Sequence, residues 1–336
     1  MPLADPEETG APPPVVVVTG ATSGIGRATA LAFARLRCRV ALIARGADGL
    51  QATLAALERA GGEGFVVQAD VSDEKAVFGA ADAIVARWGG IDVWINNAMV
   101  TVFSDIARLQ PDELRRVTEV TYHGAVWGTM AALRHMTERD RGVIVQVGSA
   151  LAYRSIPLQS AYCAAKAAMR GFTDSLRSEL IHAESGVHVT MVHLPALNTP
   201  QFDVARSHMG HRPRPLGTIY QPELAARAIV WASQHRRREV WVGASTEQAI
   251  FGTRLAPGLL DWILGKRAVK GQQSALPPPP ADNLFFALPG DRGARGRFER
   301  EAKDRSLNFW LARHPLVLYS AALAGVFGVA ALWRRR

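Results

Sequence analysis

The chain is poor in cysteine: Cys38 and Cys163 are the only two in 336 residues. Two thiols make no disulfide framework, and a reducing compartment suits them. No Cys/His cluster has zinc-ligand spacing, so no metal site is expected. The first fourteen residues, MPLADPEETGAPPP, have neither a basic start nor an apolar run. That is not the make-up of a secretory signal, and a disordered lead-in is expected over 1–14. Excess charge is scarce in the main body. Of the formal +9, a net +6 lies from Asp291 onward, where ten Arg/Lys stand against four Asp/Glu. This argues against a nucleic-acid-binding face and for a basic tail beside a membrane.

Apolar residues make up 48% of the chain, enough for a large core. Short, near-continuous apolar runs predict strands at 15–19, 39–45, 64–70, 91–98, 142–149, 187–194 and 239–243. Helical spacing predicts helices at 27–37, 49–62, 71–88, 111–136 and 159–184. Strict alternation of the two predicts an α/β domain over 15–270, with a doubly wound parallel sheet covered by helices on both faces.

The alternation stops near Gly243. ALPPPPADN, residues 275–283, cannot be helical, and 271–305 is expected to be a basic Pro/Gly-rich linker. Residues 306–336 are expected to be a membrane anchor. Within them, 315–333 carries nineteen residues without charge between Arg313 and three terminal arginines. The alternative is a helix packed on the domain. With an anchor, the α/β domain is expected on the cytoplasmic side.

VTGATSGIGRATA, residues 18–30, joins the first strand to the first helix. Gly20, Gly24 and Gly26 allow a tight turn and close backbone approach. Thr22, Ser23 and Ile25 lie in the same turn, and the helix start offers free N–H groups to a pyrophosphate. The position is the one dinucleotide folds use. The second strand ends on Ala44-Arg45, where a carboxylate would hold a ribose 2′-OH. Arginine pairs instead with a 2′-phosphate, so NADP(H) is expected over NAD(H), with Arg45 as binder and Arg27 as helper. The alternative is a solvated Arg45. Asp70 and Val71, closing the third strand, are placed to meet the adenine.

SAYCAAKAAM, residues 160–169, puts Tyr162 and Lys166 four apart on one helix face. A phenol is a weak acid, with a pKa of about 10, and a nearby ammonium lowers that value. The pair can pass a proton to or from a carbinol oxygen. Ser149 ends the fifth strand and is expected at the same crevice.

TGATSGIG (19–26), NNA (96–98), VGS (147–149) and YCAAK (162–166) occur in this order. Together they resemble the short-chain dehydrogenase/reductase family, over about residues 15–243. The resemblance implies a Rossmann-type domain and hydride transfer between NADP(H) and a carbonyl/alcohol pair. It implies Tyr162 as acid/base, Lys166 on the nicotinamide ribose, Ser149 on the carbonyl, Asn97 supporting the strand beside the cofactor, and Thr199 among the cofactor contacts. It also implies a homo-dimer or tetramer. Three positions depart from the family pattern. Met99 and Ala196 each replace a glycine, and Thr121 stands where many members carry a relay asparagine. Thr121 leaves open a second reading, a catalytically weak NADP-binding scaffold on a membrane. The expected substrate lid, 195–220, carries Arg206, His208, His211, Arg212 and Arg214. These suit an anionic head group or a solvated loop, while the anchor suits a hydrophobic, lipid-like substrate.

Overall fold

A computed structural model describes residues 12–314. The lead-in up to residue 11 and the 315–333 span expected as an anchor lie outside the described residues. Among the described residues, no helix is long and apolar enough to cross a membrane.

Seven strands form one sheet: β1 (Val15–Thr19), β2 (Arg39–Ala44), β3 (Glu63–Gln68), β4 (Val93–Asn96), β5 (Gly142–Ser149), β6 (Val187–Leu194) and β7 (Glu239–Trp241). Their order is β7-β6-β5-β4-β1-β2-β3, and every pairing is parallel. The pleat sorts the side chains onto two cores. Val16, Val18, Leu42, Ile95, Val147 and Val192 face α1 (Gly24–Ala34), α2 (Ala47–Arg59) and α7 (Pro222–Gln234). Val15, Val17, Ile43, Trp94, Ile144 and Val189 face α3 (Glu74–Trp88), α5 (Gly124–Met136) and α6 (Ser160–His182). Burial on both faces is why the strands are continuous apolar runs rather than alternating ones. The strand order reverses at β1, which lies between β2 and β4. A crevice opens there, beyond the carboxyl ends of the strands.

Two expectations change. The helix expected over 111–136 is divided: α4 (Pro111–Thr118) ends in one π turn, Glu119–His123, before α5 begins. The segment expected as a linker is a packed strap. After β7 come α8 (Ala244–Leu255) and α9 (Pro257–Gly271). Residues 282–306 then lie across the domain without long helices or strands, followed by α10 (Leu307–Arg313). Leu284 of the strap is fully buried, and Phe298 and Phe309 nearly so. Its backbone bonds to the domain as well. Gly296 donates to Asn198 O (3.2 Å) and Lys303 to Ile219 O (2.9 Å), while Lys303 O accepts from Gln221 (3.0 Å). Isolated apolar anchors and backbone bonds, not periodicity, hold it in place.

Leu284→Ala tests this packing. A buried leucine cut to alanine costs about 2–5 kcal/mol. A urea midpoint that falls accordingly is expected, whereas a solvated linker would leave the midpoint unchanged.

Candidate active site

The β1–α1 loop forms the floor of the crevice. Gly20 has φ +68°, and a Cβ there would stand 2.8 Å from Ala98 Cα. A Cβ on Gly26 would stand 2.2 Å from Gly20 O. Only glycine permits this approach of helix to strand. Asn97, just after β4, secures the turn. Its Nδ2 donates to Thr19 O (2.8 Å) and Gly20 O (3.3 Å), and its backbone N–H to Thr19 Oγ1 (2.9 Å). Gly20, Thr22, Ser23, Gly24 and Ile25 line the crevice, with Arg45, Asp70, Val71, Asn97 and Thr199 around them. An elongated dinucleotide fits this donor set: a glycine turn, a helix start, two hydroxyls and a basic wall.

The strap forms the outer wall of the same crevice, through Asn283, Ala287, Leu288, Gly290 and Arg292. It engages the residues expected to meet a 2′-phosphate. The Arg45 guanidinium donates to the carbonyls of Asn283 (2.7 Å) and Phe285 (2.9 Å), and lies 3.8 Å from Asp70. Arg45 is therefore not a solvated residue. Arg27 pairs with Asp291. Asp70 accepts from Ser72 and pairs with Arg116; burial raises its pKa, but these partners outweigh it and hold the carboxyl below its usual range.

Ser149, Tyr162 and Lys166 line an adjoining cavity of about 350 Å³, together with Leu151, Ile156 and Phe202. The cavity and the crevice share Ile25, Asn97, Met99 and Thr199. Ser149 ends β5; its Oγ accepts from the N–H of Leu151 (3.1 Å), and its hydroxyl also bonds the Tyr162 phenol. The buried Lys166 donates from Nζ to Val147 O (2.6 Å), and its ammonium stands 5.8 Å from the Tyr162 ring centre. Burial pushes the Tyr162 phenol up, against the opposing effect of the Ser149 hydroxyl. Burial pulls Lys166 down to about 7.

Other side chains hold this set in place. His193 of β6, fully buried, contacts Ser149 O through Nδ1 (3.1 Å). Its Nε2 lies 3.5 Å from Glu239, a long contact that leaves that nitrogen without a full hydrogen bond. Burial raises Glu239, yet the nearby His193 ring and the bonds from Trp241 and Tyr153 win and bring it to about 2. Gln159, before Tyr162, donates to Gln272 at the end of α9 (2.7 Å). The roof is formed by Gln248 and Ala249 of α8 and by Leu260 and Leu264 of α9. No element is expected from the sequence over the stretch of α8 and α9, because the alternation of strands and helices stops near Gly243.

Thr121 sits in the π turn. Its hydroxyl donates to Val100 O (3.1 Å) and accepts from Val100 N (3.2 Å), and it lines neither cavity. The basic residues of the lid form staples. Arg206 and His208 engage Glu113, Arg206 also engages Asp282, Arg212 engages Asp203 and Arg214 engages Glu301. The cavity is lined by none of these four and is mainly apolar.

A family model described as short chain dehydrogenase matches residues 14–210. The chain is 32% identical to the uncharacterized oxidoreductase YxnA of Bacillus subtilis, over 96% of this chain and 91% of that protein. It is 33% identical to 3beta-hydroxysteroid dehydrogenase 1 of Eggerthella lenta, over 72% of this chain and 94% of that protein. It is 33% identical to human estradiol 17-beta-dehydrogenase 11, over 55% and 62% respectively. The chain belongs to the short-chain dehydrogenase family, whose members use NAD(P)(H), and it is an oxidoreductase acting on hydroxyl or carbonyl groups.

The buried lysine has a consequence for stability. Between about 7 and its ordinary 10.5, the unfolded chain holds the Lys166 proton and the folded chain does not. Stability therefore rises with pH across that window, and below it the full cost of burying the charge is present. Urea midpoints at pH 7 and pH 9 should diverge more for the wild type than for Lys166→Met. Equal changes in both would contradict a depressed lysine.

Proposed function

We propose that the chain is an NADP(H)-dependent oxidoreductase that interconverts a carbonyl and an alcohol on a hydrophobic small molecule. The observation that carries this reading is that Ser149, Tyr162 and Lys166 line one apolar cavity that shares walls with the crevice over the glycine loop. A bound nicotinamide dinucleotide supplies the hydride. Tyr162 hands its phenolic proton to the carbonyl oxygen in reduction and takes it back in oxidation, and burial keeps the phenol protonated, ready to donate. Ser149 donates a hydrogen bond to the same oxygen. Lys166, tied to Val147 O, holds the ribose beside the phenol. Gly20, Thr22, Ser23, Gly24, Ile25 and Gly26 hold the pyrophosphate, Asp70 and Val71 flank the adenine, and Asn97 and Thr199 border the nicotinamide end. Arg45 in place of a carboxylate at the end of β2, where a ribose 2′-OH would be held, supports NADP(H) over NAD(H).

The names of two relatives specify hydroxysteroid and estradiol substrates. A cavity walled by Leu151, Ile156, Phe202, Leu260 and Leu264 supports an alcohol of that hydrophobic kind. The uncharged residues 315–333, flanked by arginines, support anchoring in a membrane with the enzyme domain on its cytoplasmic side. Assembly as a dimer or tetramer follows the family habit. One observation favours a second reading, an NADP-binding scaffold with weak chemistry: the Thr121 hydroxyl is taken up by the Val100 backbone.

Stopped-flow oxidation of NADPH against aldehydes, ketones and 3-oxoacyl thioesters separates the two. Tyr162→Phe should slow turnover by roughly 100-fold or more, the scale of acid–base catalysis, without weakening NADPH binding. Unchanged turnover in Tyr162→Phe would remove the acid/base role. NADPH binding without turnover on any compound would favour the scaffold.

A further inference from the structure

The strap adds a charge that family motifs do not predict. Residues 290–293 form a turn fixed over the glycine loop. Gly290 N–H donates to Asp48 Oδ2 (2.8 Å), just past the end of β2. Gly293 O accepts from Gly24 N–H (3.1 Å), at the start of α1. Asp291 between them pairs with Arg27 and accepts from Gly293 N–H (2.9 Å). The turn is bracketed by Gly290 and Gly293, at φ +85° and +66°, a conformation other residues rarely adopt. It therefore spans from the ribose end of the crevice to the pyrophosphate turn.

Arg292 sits in this turn and lines the crevice. The charges near it are already matched. Arg45 is held by three strap carbonyls and lies near Asp70, and Arg27 is held by Asp291. Arg292 is exposed and, among the described residues, has no hydrogen bond or ion pair. An arginine without a partner, carried along the crevice wall by a turn pinned from both sides, is available to an anion bound there. We infer that Arg292, supplied by the C-terminal strap, pairs with a phosphate of the bound dinucleotide, and that Arg45 serves to anchor the strap. The inference rests on the dinucleotide reading above. It moves phosphate recognition from the motif at the end of β2 to a segment about 250 residues further along the chain.

The test is fluorescence titration of the full-length chain with NADPH and with NADH, for wild type, Arg292→Ala, Arg292→Lys and Arg295→Ala. Arg295 lies on the same strap but pairs with Glu223 and Glu299 and does not line the crevice. It controls for the loss of one positive charge. Arg292→Ala should weaken NADPH binding by roughly tenfold to a hundredfold, the scale of a charge-assisted bond. Arg292→Lys should restore part of the loss, and Arg295→Ala should bind as wild type. Loss confined to NADPH assigns the 2′-phosphate as the partner, and equal loss for both assigns the pyrophosphate. Wild-type affinity for both dinucleotides in Arg292→Ala would overturn the inference and leave the oxidoreductase reading standing. A wild-type chain that binds neither would overturn the reading itself.

Discussion

A parallel sheet covered on both faces gives its strand side chains no route to solvent except at the strand ends. Val15 to Val18 illustrate the constraint: every one is buried, alternately in one core or the other. Chemistry is thereby confined to the carboxyl edge, where the chain leaves each strand. The glycine turn after β1, Asn97 after β4, Ser149 at the end of β5 and Thr199 after β6 all lie at that edge. Helix α6 then brings Tyr162 and Lys166 up against Ser149, and the bond from Lys166 to Val147 O ties the helix to the strand.

What distinguishes this chain is how the edge is closed. Helices α8 and α9 roof the apolar cavity, and the strap walls the cofactor crevice. The strap is not a passive cover. It engages Arg45 and Arg27, two of the residues a motif-based account would assign to the cofactor, and adds Arg292 to the crevice wall. The lid is bound into the same assembly, because its arginines pair with acids on α4 and on the strap. Cavity, crevice, lid and strap thus share one network of contacts, and a change in the strap should be felt at both binding sites.

The sheet was legible from the sequence for physical reasons. Residues 142–149 and 187–194 are apolar runs bounded by abrupt changes in composition, and β5 and β6 match them to the residue. Residues 91–98 extended beyond β4 because the apolar run continues into the loop that carries Asn97. The division of the 111–136 helix left no trace, since a π turn needs neither proline nor glycine. The strap reads as a linker in the sequence because its anchors, Leu284 and Phe298, are widely spaced and follow no period. The lid's basic residues read as candidates for an anionic substrate because the acids that hold Arg206, His208 and Arg214 lie 76, 95 and 87 positions away in sequence, beyond any spacing rule.

The central claim is that the glycine turn and the strap form a single dinucleotide site. Amide hydrogen exchange of the full-length chain, with and without NADPH, tests it most directly. The account predicts that residues 19–26 and 283–296 gain protection together on binding. Protection confined to 19–26, with the strap exchanging as before, would contradict it.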